Sequence, residues 1–301
     1  MPGMDPASRI TNAFDSLPPQ LQAAARFVLD HPDDVALLSM REQARRAGVP
    51  PVTMTRLARQ LGFGDYQEFR DLHASALRRS PPSRTGFSDR AGSLQQNQKL
   101  KGDAALAAQI GWTMAEHVAT GHDDAGIAAM TDAARRMEKA RRVYFLGLRS
   151  CHSVAFHAHY IYSLFRDNGV LLDGAGDTGC DALRHANAED ILLAISVAPY
   201  ATATVERTAY AANEKRVGIV ALTDSQVAPI ARNAQTCLLV PTGTPSFFHA
   251  MTPAFAAAET LIALIAARAG AKALSAIRNS EAQLDAFSTF SVPPSRRKRI
   301  P

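Results

Sequence analysis

Residues 143–155, VYFLGLRSCHSVA, join a short apolar run to a glycine and a loop of small polar residues. The run is apolar at every position, which is typical of a strand that is covered on both faces of a sheet. Further apolar runs follow at residues 170–172, 191–195, 217–222 and 237–240, and helical stretches separate most of them. This alternation predicts an α/β doubly wound parallel sheet of five strands.

The chain before this sheet has helical periodicity, and residues 39–62 carry its sharpest pattern. Ser39 is a suitable N-cap for one short helix, Gly48 permits a tight turn, and Pro51 suits the first position of a second helix. A DNA-binding helix-turn-helix needs this spacing, because its second helix must enter the major groove. A plain helical hairpin is the alternative that spacing alone leaves open.

The second helix of this motif is expected to present polar side chains to DNA. Arginine can bind phosphates or guanine, whereas threonine and glutamine can reach base edges. Gln43 departs from the pattern, because an apolar residue is expected beside Ala44. The residues predicted to contact DNA are Arg45, Arg46, Thr53, Thr55, Arg56, Arg59 and Gln60.

The net charge is a poor guide to a nucleic-acid partner. The chain has 33 Lys and Arg against 28 Asp and Glu, a net charge of +5 and a pI of about 9.3. The whole excess lies in residues 81–101 and in the last eleven residues, which carry +3 and +4, whereas the other residues together carry −2. The prediction of DNA binding therefore depends on the arginines inside the motif, where local charge acts on phosphates.

Length and composition predict four segments in this chain of 301 residues. They are a helical DNA-binding domain at 1–80, a linker at 81–101 that lacks periodicity, an α/β domain at 102–290 and a basic tail at 291–301.

Cysteine usage and apolar stretches bear on the cellular compartment. Three distant cysteines, with no pair at metal-ligand spacing, predict neither a disulfide framework nor a metal site, and favour the cytoplasm. Residues 254–269 contain Glu259 and Thr260 within an apolar stretch, which predicts a buried helix rather than a membrane span. The first ten residues lack the apolar core of a secretion signal.

Hydroxyl-rich turns follow the first and third predicted strands, at residues 147–153 and 196–204. Helix starts attract anions, and ligands of open α/β sheets bind at the carboxyl ends of the strands, where the strand order reverses. Simple helix capping is the alternative explanation for each hydroxyl. Neither turn has a dinucleotide or P-loop pattern, so no cofactor is predicted. Arg149 can bind a phosphate or carboxylate, and His249 can face the ligand or a second subunit.

The chain as a whole resembles the MurR/RpiR family of bacterial transcriptional regulators. Its N-terminal part does so through LPPQLQAAARFVLDHPDDVALLSMREQARRAGVPPVTMTRLARQLGFGDYQEFRDL at residues 17–72. Its C-terminal part resembles a sugar isomerase (SIS) domain through VYFLGLRSCHSVA, ILLAISVAPYATATVE and VGIVALTDSQVAPIARNA. Together these similarities cover about residues 9–270.

The resemblance implies a regulator of sugar metabolism that senses a phosphosugar in its SIS domain, dimerises through that domain and binds operator DNA. Four departures, Arg149 for glycine, Cys151 for serine, Ala198-Pro199 for Ser-Gly and Ala228 for serine before Pro229, indicate a ligand other than a standard sugar phosphate. With Arg149 and His249 from the preceding argument, the expected ligand residues are Arg149, Ser150, Cys151, Ser196, Tyr200, Thr202, Thr204 and His249.

Two other functions stay open on the sequence. A sugar-phosphate isomerase needs a base beside C1 and C2, for which Glu259 and His249 are the candidates. A DNA-bridging structural protein needs no effector. The expected partners are double-stranded operator DNA, a small anionic effector and further copies of the chain, as a homodimer or homotetramer, with no membrane and no catalytic residues.

Overall fold

The computed structural model of the chain describes residues 6–31, 34–35, 38–77, 86–173 and 178–290, and the predicted basic tail lies outside them. The N-terminal helices are α1 (Pro6–Ala13), α2 (Pro19–Asp30), α3 (Met40–Arg46), α4 (Pro51–Gln60), α5 (Tyr66–Leu77) and α6 (Phe87–Gly121). The elements after them are α7 (Asp124–Lys139), β1 (Val143–Gly147), α8 (Ser150–Ser163), β2 (Gly169–Leu171), β3 (Ile191–Ile195), α9 (Thr202–Asn213), β4 (Gly218–Thr223), β5 (Thr236–Leu239) and α10 (Thr252–Ala286).

The chain divides into two compact units. The first contains the described residues up to Asp123, with 223–232 and 239–253, and the second contains 124–222, 233–238 and the described residues from 254. The units do not follow the predicted segment boundaries, which stay predictions.

The helix pair α3 and α4 forms as its sequence predicts. The Ser39 hydroxyl accepts a hydrogen bond from the backbone N–H of Glu42 at 3.3 Å, which caps α3. Gly48 ends α3 with a φ of 66°, where a residue with a Cβ is strained. Val49 N–H then donates to the Ala44 carbonyl at 2.9 Å, and the fully buried Ala44 lets the helices pack closely.

Gln43 connects three parts of this helical region. Its buried side-chain amide donates to the carbonyls of Val35 and Leu38, at 3.0 and 2.8 Å, and its oxygen accepts from the Tyr66 hydroxyl. Burial raises the pKa of Tyr66 to about 12, so this hydroxyl stays protonated as a donor. A buried polar side chain is tolerated here because every one of these groups is paired.

Apolar side chains around this network form the core of the first unit. They are Ile10, Phe14, Leu17, Ala24, Ala25, Phe27, Val28, Val35, Ala44, Val49, Met54, Leu57, Ala58, Leu61, Phe63, Tyr66, Phe69 and Val227.

The predicted doubly wound sheet is confirmed, with five strands in the order β2-β1-β3-β4-β5. The pairs β1–β2, β1–β3 and β3–β4 are parallel. Every residue of β1, β3 and β4 is buried, so both faces of the sheet are covered. The order reverses after β1, and right-handed crossovers therefore place α8 and α9 on opposite faces.

Most of the predicted linker is helical. Residues 87–101 belong to α6, which is interrupted only by the non-helical backbone of Gly102 at a φ of 79°. Nearly all side chains of this part are exposed or half-exposed. A helix without a buried face carries no apolar stripe, and for that reason this segment lacks helical periodicity.

The helix α10 is buried along one face rather than throughout. Ala254, Leu261 and Ile265 lie on that face, but only 22% of its most apolar 18-residue stretch is buried. By length and composition alone, the helix also suits a membrane span.

Gly147, the last residue of β1, lies where there is no room for a side chain. A Cβ placed there would lie 2.3 Å from the Cys151 carbonyl oxygen and 3.1 Å from the Ala155 Cβ. Only a residue without a side chain therefore lets the first turn of α8 approach the strand so closely.

We expect Gly147→Ala to lower the free energy of unfolding by about 2 kcal/mol or more, because strand and helix must separate. Gly111→Ala is the matched control, since Gly111 lies in α6 with nothing within 4 Å of the added Cβ. That substitution should raise the free energy of unfolding by up to about 1 kcal/mol. Urea denaturation followed by circular dichroism measures both, and equal effects would contradict the steric argument.

Candidate functional site

Two neighbouring strands deliver the predicted ligand loops to one edge of the sheet. Gly147 of β1 is paired in register with Ile195 of β3, so the loops after these strands begin side by side. The strand order reverses at this point, where open α/β sheets bind ligands. The prediction that the first and third strands flank the switch point is confirmed.

The first loop contains a strained arginine. Arg149 has φ 57° and ψ −131°, a conformation that favours glycine, and its side chain is exposed. Holding a residue with a Cβ there costs on the order of 1 kcal/mol. Helix α8 begins at Ser150, and Cys151 is buried in its first turn. The positive end of the α8 dipole and the guanidinium of Arg149 can both attract an anion.

The second loop leads into a helix whose first turn contains a buried hydroxyl. Ser196 is buried, and its N–H donates to the Leu222 carbonyl at 3.1 Å. After the cis peptide between Ala198 and Pro199, α9 begins at Thr202. Thr204 is fully buried in the first turn, and its Oγ1 makes no hydrogen bond to any residue that the structure describes. Such an atom is unusual in a folded protein, and a bound ligand is one way to pair it.

The remaining loop residues differ in exposure. Ser150 and Tyr200 are half-buried, and Thr202 is exposed at the start of α9. The topology thus places seven of the eight predicted ligand residues on two adjacent loops of the second unit and on the first turns of the helices that follow them. His249, the eighth, belongs to the first unit.

His249 lies in a cluster of the first unit that the sequence did not reveal. Its ring stacks on Phe248, with centroids 4.0 Å apart. The Arg90 guanidinium donates to the carbonyls of Ser246 and Phe248, both at 2.9 Å, and Phe87 stacks on Phe248. The start of α6 is therefore held against residues 246–249. The sequence does not indicate a role for Arg90, because this residue lies in the segment that is predicted to be a linker.

Two histidines of the first unit favour the neutral form. Burial lowers the pKa of His249, the charge of Arg90 lowers it further, and Asp224 partly opposes this. Burial also lowers the pKa of His117 in α6, against a smaller effect of Glu116. In the described part of the chain, the Nδ1 of His117 and the Oε1 of Gln109 are buried without a hydrogen bond.

The outward face of α4 differs from the predicted DNA-contacting set at one residue. Arg56, Arg59 and Gln60 are exposed as expected, and the half-buried Thr55 donates to the Met40 sulfur at 3.4 Å. The prediction that Thr53 is exposed is wrong, because it is 3% exposed. It shares the inward face with Met54 and Leu57, and a buried hydroxyl cannot reach a base edge.

The arginines of α3 and α4 differ in their partners. Arg45 and Arg46 both pair with Glu42, at 2.5 and 3.0 Å, and Arg46 also pairs with Asp34 at 3.0 Å. These arginines lower the pKa of Glu42 to about 2. Across the described ranges, no carboxylate forms an ion pair with Arg56 or Arg59. Uncompensated positive charge therefore lies on α4.

Glu259, the carboxylate candidate for isomerase chemistry, is not buried. Glu259 is 59% exposed, and its carboxylate pairs with the His157 Nε2 at 2.8 Å on the surface of the second unit. Among the described residues, no group of three or more His, Cys, Asp or Glu is placed to hold a metal ion, and the three cysteines form no disulfide.

Comparison with known families identifies the sheet region. Residues 136–264 match the family model described as "SIS domain". This region is a SIS domain. The match spans β1 to β5 and includes both ligand loops, whereas the N-terminal helices lie outside it. A search of curated proteins gives no match.

Two solved structures are similar to this chain. The SIS domain region is similar to the sugar isomerase domain of an RpiR transcription factor from Sphaerobacter thermophilus, at 26% identity and a TM-score of 0.55, over 59% of this chain and 98% of that one. The NanR protein of Vibrio vulnificus, complexed with ManNAc-6P, covers 93% of this chain and 98% of its own, at 14% identity and a TM-score of 0.56. That identity shows a shared fold alone.

We expect acid to destabilise the first unit through His117 and His249. A histidine whose pKa is lowered in the folded state binds a proton more readily when unfolded, so its contribution is lost as pH falls below about 6.5. When the pH is lowered from 8 to 5.5, the melting temperature of the double variant His117→Gln, His249→Gln should therefore fall less than that of the wild type. The melting temperatures at pH 8 control for packing that the substitutions remove. An equal fall in melting temperature for the two proteins would contradict the role of these histidines in acid destabilisation.

Proposed function

We propose that the protein is a DNA-binding transcriptional regulator whose SIS domain senses a small anionic metabolite, a sugar phosphate or a related compound. One observation carries the proposal: a SIS domain shares its chain with a capped helix pair whose second helix presents unpaired arginines. The 26% identity to the SIS region of an RpiR transcription factor supports the regulatory role.

The DNA-binding part of the proposal assigns α3 and α4 to a helix-turn-helix on double-stranded operator DNA. Arg56, Arg59 and Gln60 share the exposed face of α4, where they can contact phosphates and base edges. Arg45 and Arg46 neutralise Glu42 and are expected to contribute less than the arginines of α4.

The effector part of the proposal assigns the ligand to the switch point between β1 and β3. The NanR protein, whose solved structure is similar to this chain, is complexed with ManNAc-6P, which supports a sugar-phosphate class of ligand. Arg149 and the first turns of α8 and α9 supply positive potential, and Thr204 supplies a hydroxyl that is already desolvated. With cysteine at 151, this site has fewer hydroxyls than the family pattern, which favours a related anion over a standard sugar phosphate.

Self-association completes the proposal. Phe156 and Tyr160 lie one turn apart on α8 and are 53% and 45% exposed, which suits an interface of the SIS domain with a second copy. A homodimer or homotetramer would present two copies of α4 to a near-palindromic operator. We place the protein in the cytoplasm, without a membrane partner and without catalytic activity.

We expect Arg56→Ala and Arg59→Ala each to weaken operator binding by about tenfold, because each removes a contact worth roughly 1–3 kcal/mol. The control is Arg45→Ala, whose guanidinium is occupied by Glu42, and a clearly smaller loss is expected there. Mobility shifts with DNA from upstream of its own gene, across a salt series, measure these changes. Wild-type binding that shows neither sequence preference nor salt dependence would refute the DNA-binding proposal.

We expect Ser196→Ala to spare DNA binding and to reduce the response to effector, because Ser196 lies at the switch point and far in sequence from α4. Thermal shift against a panel of phosphosugars and organic acids identifies the ligand class. A stable complex with DNA and no thermal shift with any anion would favour the DNA-bridging alternative. Turnover of hexose or pentose phosphates would favour the isomerase.

A further inference from the structure

An exposed valine stands at the start of α4. Val52 is 53% exposed at the second position of the helix, directly after the exposed Pro51. β-branched residues are weaker helix formers than alanine or the long polar residues, so helix propensity does not favour valine at an exposed position. Val52 is not among the polar residues predicted to contact DNA.

The position of Val52 on the helix is more informative than its exposure. The buried residues Thr53, Met54, Leu57 and Ala58 define the inward face of α4. At about 100° per residue, Val52 and Arg59 lie within roughly 20° of each other, close to the direction opposite to that face. Arg56 flanks them on one side and Thr55 on the other. An apolar side chain therefore occupies the centre of a face that otherwise carries uncompensated positive charge.

This arrangement matches the chemistry of one base. Residues near the N-terminus of a recognition helix contact base edges in the major groove, and the C5-methyl of thymine is the apolar group displayed there. Arginines on the same face would bind phosphates or guanine around it. The charge of Arg56 and Arg59 selects a polyanion as the occupant of this face over an apolar protein surface, which would leave both guanidinium groups without partners.

We propose that Val52 determines sequence specificity by packing against the methyl group of a thymine in each operator half-site. This inference rests on the proposed DNA-binding function and adds the base class that α4 recognises.

Replacing thymine with deoxyuridine tests the contact, because it removes one methyl group and keeps base pairing and backbone charge. Footprinting first defines the site bound upstream of the gene, and each thymine is then replaced in turn, at both symmetry-related positions. For the wild type, replacement at one position should lower affinity about fourfold per half-site, whereas the others should have little effect. Fluorescence anisotropy at constant salt gives the affinities.

The variant Val52→Ala should lower affinity for the thymine site by a similar factor and abolish the difference between thymine and deoxyuridine at that position. Alanine is the better helix former, so the helix should be retained, and circular dichroism checks this. Arg56→Ala should weaken binding but retain the thymine preference. Ile127→Ala, a substitution at a comparably exposed residue of α7 (51%), should change neither quantity.

Different results would overturn the DNA-binding function and the role of Val52. Absence of sequence-preferring binding by the wild type would overturn the DNA-binding function. Binding that is insensitive to deoxyuridine at every position, or a thymine preference that Val52→Ala retains in full, would overturn the role of Val52 alone.

Discussion

The contact between the end of β1 and the first turn of α8 sets the geometry of the candidate ligand site. Because a Cβ at Gly147 would lie 2.3 Å from the Cys151 carbonyl oxygen, strand and helix are as close as a backbone permits. Only Leu148 and Arg149 are then left to connect them, and the short connection forces a positive φ at Arg149. The same short connection starts α8 directly after β1, beside the loop that follows β3.

The first unit depends on a polar constraint of a different kind. Gln43 pairs with two carbonyls of the segment before α3 and with the hydroxyl at the start of α5, so one amide orients three pieces of chain. An apolar residue at this position would leave those groups unpaired inside the core, which is costly. The departure from the expected apolar pattern is thus the residue that fixes α3, and through it the turn into α4.

The sequence predicted the elements whose residues carry a strong local signal. The five strands were placed to within a residue, because each is a continuous apolar run, and Ser39, Gly48 and Pro51 marked the boundaries of α3 and α4. The failures involve long-range packing. Thr53 is buried because a small rotation of a ten-residue helix decides which polar residue faces inward. Arg90 has its role only through carbonyls more than 150 positions away.

The departures from the SIS pattern at positions 149 and 151 change the chemistry of the same turn. A glycine at position 149 would adopt its backbone conformation without strain, and arginine costs on the order of 1 kcal/mol there. Cysteine at 151 removes a hydroxyl from the same turn. Under the proposed effector role, recognition at this edge would shift from several neutral hydroxyls towards one guanidinium, which can bind a planar carboxylate or a phosphate by two parallel hydrogen bonds. If the proposed effector binds here, its affinity should depend more on its charge and less on the pattern of its sugar hydroxyls. A carboxylate or phosphate should therefore be indispensable in any compound that gives a thermal shift.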